Sequence, residues 1–307
     1  MNNPELSVIY VNYNTKKLLA DSVNSVFEKT KDINFEIIIV DNSSTDGSVE
    51  ELGKIFGDKI KIISSPNLGF GHGMNTGIKS AKGKYVFLFN TDTLLINNAI
   101  KILYDYMETN PKCAGAGANS YNEKNVPNCS KCFFLKENSS WLRNLFTHNV
   151  RRKFLWTYHV YSNKPVKVEY PTFAAILLRK DIFEKTGGFD EDFFMFCEDE
   201  ELAFRITKAG YDFYVIPQAK ITHFEGGSFN LSNKKENEGR LRLGIQSKFL
   251  LFEKNYGKQA PEKLYKTDIA FTKGLKILSF GLLSKWAKRR STIIQEEYEK
   301  FRTSRKR

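Results

Sequence analysis

An α/β fold with a mostly parallel sheet, covered by helices on both faces, is predicted by three observations. Apolar, β-branched runs recur at residues 6–11, 36–40, 61–63 and 85–89, and the first, second and fourth of them are separated by helical patterns or Gly-rich turns. The runs are continuously apolar, as strands buried on both faces are, and do not alternate with polar residues. Each strand that starts a β-α unit ends in a polar cluster, which is where such a sheet binds its ligands.

The elements follow in order. After the first run come Asn12-Tyr13-Asn14-Thr15 and then Leu18, Leu19, Val23, Val26 and Phe27 at helical spacing. The second run ends in Asp41-Asn42-Ser43-Ser44-Thr45-Asp46-Gly47-Ser48, where Ser48 and Glu51 stand three apart and predict a capping box. Asn67-Leu68-Gly69-Phe70-Gly71-His72-Gly73 precedes a helix through Ile78, and Asn90-Thr91-Asp92 follows the fourth run. A helix over 100–107 stops at Asn110-Pro111, and residues 113–118 read as a strand. Regularity fades over about 119–165, where loops and short elements are expected. Order returns at 172–179, at Gly187-Gly188-Phe189-Asp190, at an acidic helix start over 198–201, and at a strand over 213–216 that should end before Pro217.

The 307 residues are 41% hydrophobic, enough for a sizeable core. No run of about 18 uncharged apolar residues occurs, and the first residues lack signal-peptide character, so a cytoplasmic protein is expected. Four cysteines are too few for a disulfide framework, and Cys129 and Cys132, without two further partners nearby, read as ordinary thiols and not as a zinc site. The formal charge is +12, and residues 258–307 hold 14 Lys or Arg against 5 Asp or Glu, which is +9 of it. Such a tail suits an anionic partner. Carboxylates at the strand ends would repel a phosphate backbone, which argues against nucleic acid. Phe271, Leu275, Leu278, Leu282 and Trp286 fall at helical spacing with Lys273, Lys276, Lys285 and Lys288 on other faces. That pattern fits a helix lying in the inner face of a membrane or a helix docked on the catalytic domain, and the sequence leaves both open.

Several residues could carry chemistry. Asp41 at the end of the second strand can accept hydrogen bonds from a base or ribose. Asp92 offers a hard oxygen to Mg²⁺ or Mn²⁺, ions that bind through few carboxylates and bridge phosphates. The loop at Asn67 and Gly69 allows close backbone approach to a ligand, with free N–H groups at the following helix start. Glu198, Asp199, Glu200 and Glu201 crowd one helix start, where like charges raise a carboxylate toward the range of a useful base. His223 suits a cation or a diphosphate. A nucleotidyltransferase would place a Gly-rich basic loop directly after the first strand, and Asn12-Tyr13-Asn14-Thr15 is not one.

Taken in order, Val8-Ile9-Tyr10-Val11-Asn12-Tyr13-Asn14, Val40-Asp41-Asn42-Ser43-Ser44-Thr45-Asp46-Gly47-Ser48, Asn67-Leu68-Gly69-Phe70-Gly71, Asn90-Thr91-Asp92, Gly187-Gly188-Phe189-Asp190 and Phe194-Met195-Phe196-Cys197-Glu198-Asp199 resemble the family 2 glycosyltransferases with the GT-A fold, in particular their rhamnosyltransferase-like branch. The resemblance runs over about residues 6–228. It implies an inverting transfer of a sugar from a UDP- or dTDP-sugar to a saccharide acceptor, lipid-linked acceptors included, in the synthesis of a surface polysaccharide. Asn12, Asn14, Asp41, Asn67, Gly69, Asn90 and Thr91 would line the donor, and Asp92 with His223 would hold Mg²⁺ or Mn²⁺. Asp199 would be the general base, with Glu198 and Glu200 on the acceptor side. Asn90 stands where many relatives carry a first acid. The implied organisation is a GT-A catalytic domain over 1–228, its donor half 1–118 and acceptor half 119–228, followed by a basic helical extension over 229–307. The alternative is a non-catalytic glycan-assembly or anionic-surface-binding protein on the same scaffold.

Overall fold

The computed structural model describes residues 3–136, 158–224, 234–278 and 284–305. The chain forms two compact units. The first comprises Met1–Phe134, Leu155–Phe194 and Leu202–Asn230, and the second Leu135–Phe154, Met195–Glu201 and Leu231–Arg307.

The first unit is a nine-stranded mixed sheet. Its opening half alternates β1 (Leu6–Asn12), α1 (Lys16–Lys29), β2 (Phe35–Asp41), α2 (Ser48–Phe56), β3 (Lys61–Ser64), α3 (Phe70–Ser80) and β4 (Tyr85–Phe89). The strands β3, β2, β1 and β4 pair parallel in that order, so the chain reverses its direction of growth between β1 and β4. Crevices form at the carboxyl ends of strands at such a reversal. Next come β5 (Thr93–Leu95), α4 (Ala99–Thr109), β6 (Cys113–Tyr121), β7 (Lys131–Cys132), β8 (Val166–Val168), β9 (Tyr170–Pro171), β10 (Ala175–Arg179), α5 (Lys180–Lys185), α6 (Glu198–Lys208) and β11 (Asp212–His223). β10 runs antiparallel between β4 and β6, β11 lies parallel to β6, and β7 and β9 form a separate ladder.

The pleat sorts each strand's side chains to two cores. Leu6, Val8 and Tyr10 of β1, with Tyr85, Phe87 and Phe89 of β4, pack with Leu19, Val23 and Val26 of α1 and Leu103 of α4. Ile9, Val86 and Leu88 face the other way, onto Met74 and Ile78 of α3, Phe183 of α5 and Ile206 of α6. Continuous apolar strands therefore arise because both faces are covered. α3 lies close to the sheet because of its glycines. A Cβ on Gly77 would meet Ile9 at 2.6 Å, and one on Gly73 would meet Val11 at 2.8 Å.

Two expected boundaries shift. β11 does not stop at Pro217 but runs on to His223, and a register shift against β6 between Ile216 and Lys220 accommodates the proline. Proline is tolerated at such a bulge because no ladder hydrogen bond needs its missing N–H. The three-residue β5, unforeseen in the sequence, pairs with the end of β11.

The second unit is built on three helices, α7 (Lys234–Tyr256), α8 (Ala260–Leu278) and α9 (Ser284–Ser304). Ile245, Phe249, Phe252, Leu264, Ile293 and Ile294 form their core, and the rings of Tyr265 and Tyr298 stack at 4.2 Å. The stripe from Phe271 to Trp286 is therefore not one helix, since Phe271 belongs to α8 and Trp286 to α9. Leu282 of that stripe lies outside the described residues. No helix among the described residues is long and apolar enough to cross a membrane.

Candidate active site

Asn12 closes β1 and Asp41 closes β2, and the two are register partners in the parallel ladder. Asn12 Nδ2 donates to Asp41 Oδ1 at 2.7 Å and lies 2.7 Å from Ser48 Oγ and 3.0 Å from Ser44 Oγ. Its Oδ1 accepts the Thr15 hydroxyl at 2.8 Å. Asp41 Oδ2 accepts the Ser44 N–H at 3.0 Å. Each carboxylate oxygen thus has one internal donor and a lone pair to spare. Asn14, in the left-handed region at φ 55°, accepts the Thr45 N–H at 2.8 Å and donates its own N–H to Ser44. These bonds bind the loops after β1 and β2 into one wall, above which the Tyr13 side chain stands half exposed.

Ser48 does not form the expected capping box, since its hydroxyl is taken up by Asn12. Asp46 serves the helix start instead, accepting N–H bonds from Ser48 and Lys16 at 3.1 and 2.9 Å. Burial opposes ionisation of Asp46, but these bonds outweigh it and hold the carboxyl below the usual range.

The Gly-rich loop is anchored on protein. Gly69 has φ 113°, and a Cβ there would sit 2.5 Å from the carbonyl oxygen of Phe194, which accepts the Phe70 N–H at 2.9 Å. Asn42 Nδ2 donates to the Gly69 carbonyl. Asn75 bonds both the N–H and the C=O of Phe189 and reaches Glu191, whose other oxygen meets His72 Nδ1 at 2.8 Å. The glycines are thus needed for close packing of the loop and α3 against the 189–194 segment and β1, and Asn67 lies half-buried at the loop's start.

After β4 the chain makes a tight turn. The Asn90 carbonyl accepts the N–H and the hydroxyl of Thr93 at 3.2 and 2.5 Å. Thr91 and Asp92 are buried. The pairing of β5 with β11 places His223 opposite Thr93, and His223 Nε2 lies 3.4 Å from Asp92 Oδ1. The Phe224 N–H donates to the Asp92 carbonyl. Asn90 Oδ1 is buried with no hydrogen-bond partner. A buried acceptor left unpaired costs roughly 1–3 kcal/mol, which a ligand would recover. No three His, Cys, Asp or Glu side chains of the described residues converge as a metal-holding group. Cys129 and Cys132 lie with sulfurs 3.9 Å apart.

The acids at the start of α6 belong to the second unit and form a group of their own. They follow a strained turn in which Phe196 and Cys197 both take left-handed conformations, at φ 71° and 67°. Side chains adopt that region at a cost of about 1–3 kcal/mol each, usually where the surroundings or function demand it. The Met195 carbonyl is held by the Ser247 hydroxyl at 2.7 Å. Glu200 accepts the Leu135 N–H, so one of its oxygens is structurally engaged. Glu198 is buried and its Oε2 has no partner. Asp199 is half-buried, and its Oδ1 accepts the Glu200 N–H at 2.8 Å. Burial pushes the Glu198 carboxyl well above its ordinary value, and the neighbouring Asp199 charge adds to this. Burial also raises Asp199, against the Glu200 N–H, which favours its ionised form.

Two features escaped the sequence reading. Ser44 and Ser48 act as hydrogen-bond partners of Asn12, which only the folded register reveals. His159, given no role in the sequence, is buried between the rings of Tyr121 and Tyr161 and bonds Asn119. Burial holds it below its ordinary pKa, so it is a neutral member of a core network.

The sheet with its polar strand ends is that of a nucleotide-diphosphosugar transferase of the GT-A type. Residues 7–187, more than half of the chain, match the family described as glycosyl transferase family 2, and the chain belongs to that family. It is 33% identical over 121 residues to an uncharacterised glycosyltransferase of Haemophilus influenzae, covering 38% of this chain but only 37% of that protein. Over 266 residues it is 24% identical to the dTDP-rhamnosyl transferase RfbF of Shigella flexneri, covering 83% of this chain and 82% of that one. It is likewise 24% identical over 212 residues to an N-acetylglucosaminyl-diphospho-decaprenol L-rhamnosyltransferase of Mycobacterium tuberculosis, covering 62% and 67% of the two chains. In fold it resembles a mannosyltransferase from Pyrobaculum calidifontis in complex with GDP-Man and Mn²⁺, with a TM-score of 0.57 and 16% identity over 97% of this chain and 86% of that one. It also resembles GalNAc-T7 with UDP, GalNAc and Mn²⁺, with a TM-score of 0.61 and 15% identity over 97% and 56% of the two chains.

Proposed function

We propose that the chain transfers a sugar, with inversion, from a UDP- or dTDP-sugar to a saccharide acceptor of a surface polysaccharide, in our reading one carried on a lipid at the inner face of a membrane. The observation that carries this reading is the pair Asp92 and His223, 3.4 Å apart at a strand end of a GT-A fold, in a turn that also holds the buried, unpaired Asn90 Oδ1. The names of the rhamnosyltransferase relatives support the donor class.

Asp41 receives a base N–H on its spare lone pairs, and Tyr13 offers a ring face to the base. Asn14, Asn67, Gly69 and Thr91 border the rest of the donor. The donor set of one carboxylate, one imidazole and one amide oxygen fits Mn²⁺ or Mg²⁺, with Asp92, His223 and Asn90 as the holders. When bound, such a cation offsets the charge that develops on the leaving diphosphate. Asp199 takes the proton from the acceptor hydroxyl as its oxygen attacks the anomeric carbon. The bond from that carbon to the diphosphate breaks on the opposite face, so one displacement inverts the centre.

A thermal-shift comparison of UDP, dTDP and GDP, each with and without Mn²⁺, tests the donor side. UDP or dTDP should raise the melting temperature, more so with Mn²⁺, and Asp92→Ala should abolish the Mn²⁺ increment. A response to GDP alone would overturn the role given to Asp41.

A further inference from the structure

The basic tail is not used by the transfer chemistry, and the second unit shows where its charge is uncompensated. Several cations of this unit are paired: Lys266 with Glu262 at 2.7 Å, Lys300 with Glu297 at 2.9 Å, Arg302 with Glu299 at 2.7 Å and Arg305 with Glu253 at 2.9 Å. The start of α9 is different. Lys285, Lys288, Arg289 and Arg290 fall within six residues at a helix N-terminus with no acid in its first turn. The helix dipole disfavours cations there and favours anions, so this placement costs stability and calls for another explanation.

Lys285, Lys288 and Arg289 are exposed, and the two lysines make no ion pair among the described residues. With Arg242, Glu238, Thr292 and Ile293 they line an open cleft of about 400 Å³. Glu238 is the one carboxylate of its lining and binds both Arg242 and Arg289, which leaves Lys285 and Lys288 as its cations without an ion pair among the described residues. Arg242 is held rigidly at the cleft wall by Glu296 and Glu297, each at 2.7 Å. Beside the cleft, Trp286 is half-buried beneath the guanidinium of Arg290, 5.5 Å from its ring.

We propose that this cleft seats the phosphate headgroup of an anionic phospholipid and so holds the second unit on a bilayer surface, an inference that rests on the membrane half of the function proposed above. The lysines extend into solvent and the cleft is open, which suits a planar anionic surface over an enclosed small anion. A tryptophan beside the cations matches the interfacial level of a membrane.

Sedimentation of the full chain with vesicles tests this independently of catalysis. Vesicles of phosphatidylcholine with one third phosphatidylglycerol should pull the protein down at low salt, and phosphatidylcholine alone should not. Lys285→Ala with Lys288→Ala should weaken that binding about thirtyfold, at roughly 1 kcal/mol per cation near an anionic surface. Lys300→Ala with Arg302→Ala, which removes the same charge from paired positions, should weaken it far less. Equal binding to both vesicles, or equal loss in the two double variants, overturns the proposal. So does protection by inorganic pyrophosphate without vesicle binding, which would make the cleft a soluble-anion site. Sugar transfer to a soluble acceptor is unaffected by either outcome, so failure here and failure of the transferase reading are distinguishable.

Discussion

Asp41 closes a strand and Asp199 stands in the first turn of a helix, and the two acids are built in opposite ways. Asp41 receives one hydrogen bond on each oxygen, from Asn12 and from the Ser44 N–H, and its partners are themselves tied to Thr15, Asn14 and Ser48. Asp199 follows two residues in left-handed conformations, adjoins the buried Glu198 and is raised by desolvation. The first arrangement fixes a hydrogen-bond acceptor in place, which is what recognition of a ligand needs. The second leaves a carboxylate short of stabilisation, which is what proton abstraction needs, because a base too well satisfied does not take a proton.

The sharpest way to break that contrast is Asp199→Asn. Turnover should fall about a thousandfold, within the range of roughly 10²–10⁴ for loss of a positioned base. Nucleotide affinity, read by thermal shift or calorimetry, should hold. Unchanged turnover would remove Asp199 from the reaction, whereas a matching loss of donor affinity would make it a binding group like Asp41.

The contrast was only half legible in the sequence. Asp41 and Asp92 announce themselves because strand ends in a parallel sheet are ligand positions, and apolar runs show where those strands end. At the acid helix start, sequence alone could not choose among Glu198, Asp199 and Glu200. Their difference lies in long-range contacts, such as the Leu135 N–H on Glu200, which no local pattern encodes. Ser48 was misread for the same reason. Its spacing to Glu51 suggests a cap, but Asn12, 36 positions earlier, uses its hydroxyl. The continuation of β11 past Pro217 and the reversal between α8 and α9 were hidden too. Each depends on what a neighbouring element supplies: a bulge against β6 in one case and a packed helix in the other.

Asn12→Ala probes the other side of the comparison, with a smaller effect. It removes the donor to Asp41 Oδ1 and the partner of the Ser48 and Thr15 hydroxyls, leaving buried acceptors unpaired. A loss of about 1–3 kcal/mol in unfolding free energy is expected, read from the urea midpoint. Weaker nucleotide binding should accompany it, while the turnover number at saturating donor stays near that of the parent. A drop in turnover with unchanged nucleotide affinity would mean that the network serves the chemistry and not the ligand.

The smallest effect, and the one that bears most directly on how Asp199 is tuned, comes from Glu198→Gln. As the proposed base, Asp199 must be ionised to act, so activity should rise with pH as it loses its proton. Its raised value puts that rise above the usual carboxylate range. Burial and the Asp199 charge raise Glu198 to about 8, whereas burial alone raises Asp199, so Glu198 still holds its proton where Asp199 ionises, and a neutral residue of the same shape should leave the acidic limb of the pH–rate profile where it is. Stability gives a second reading of opposite origin. A carboxyl whose value is raised by folding contributes fully below its unfolded value and loses that contribution as pH rises through the folded one. Removing Glu198 deletes one such loss, so the variant should melt higher than the parent at neutral and alkaline pH, with the advantage shrinking in acid. An acidic limb that moves to lower pH in the variant would show that Glu198 is already charged when Asp199 ionises, and that desolvation is not alone in setting Asp199.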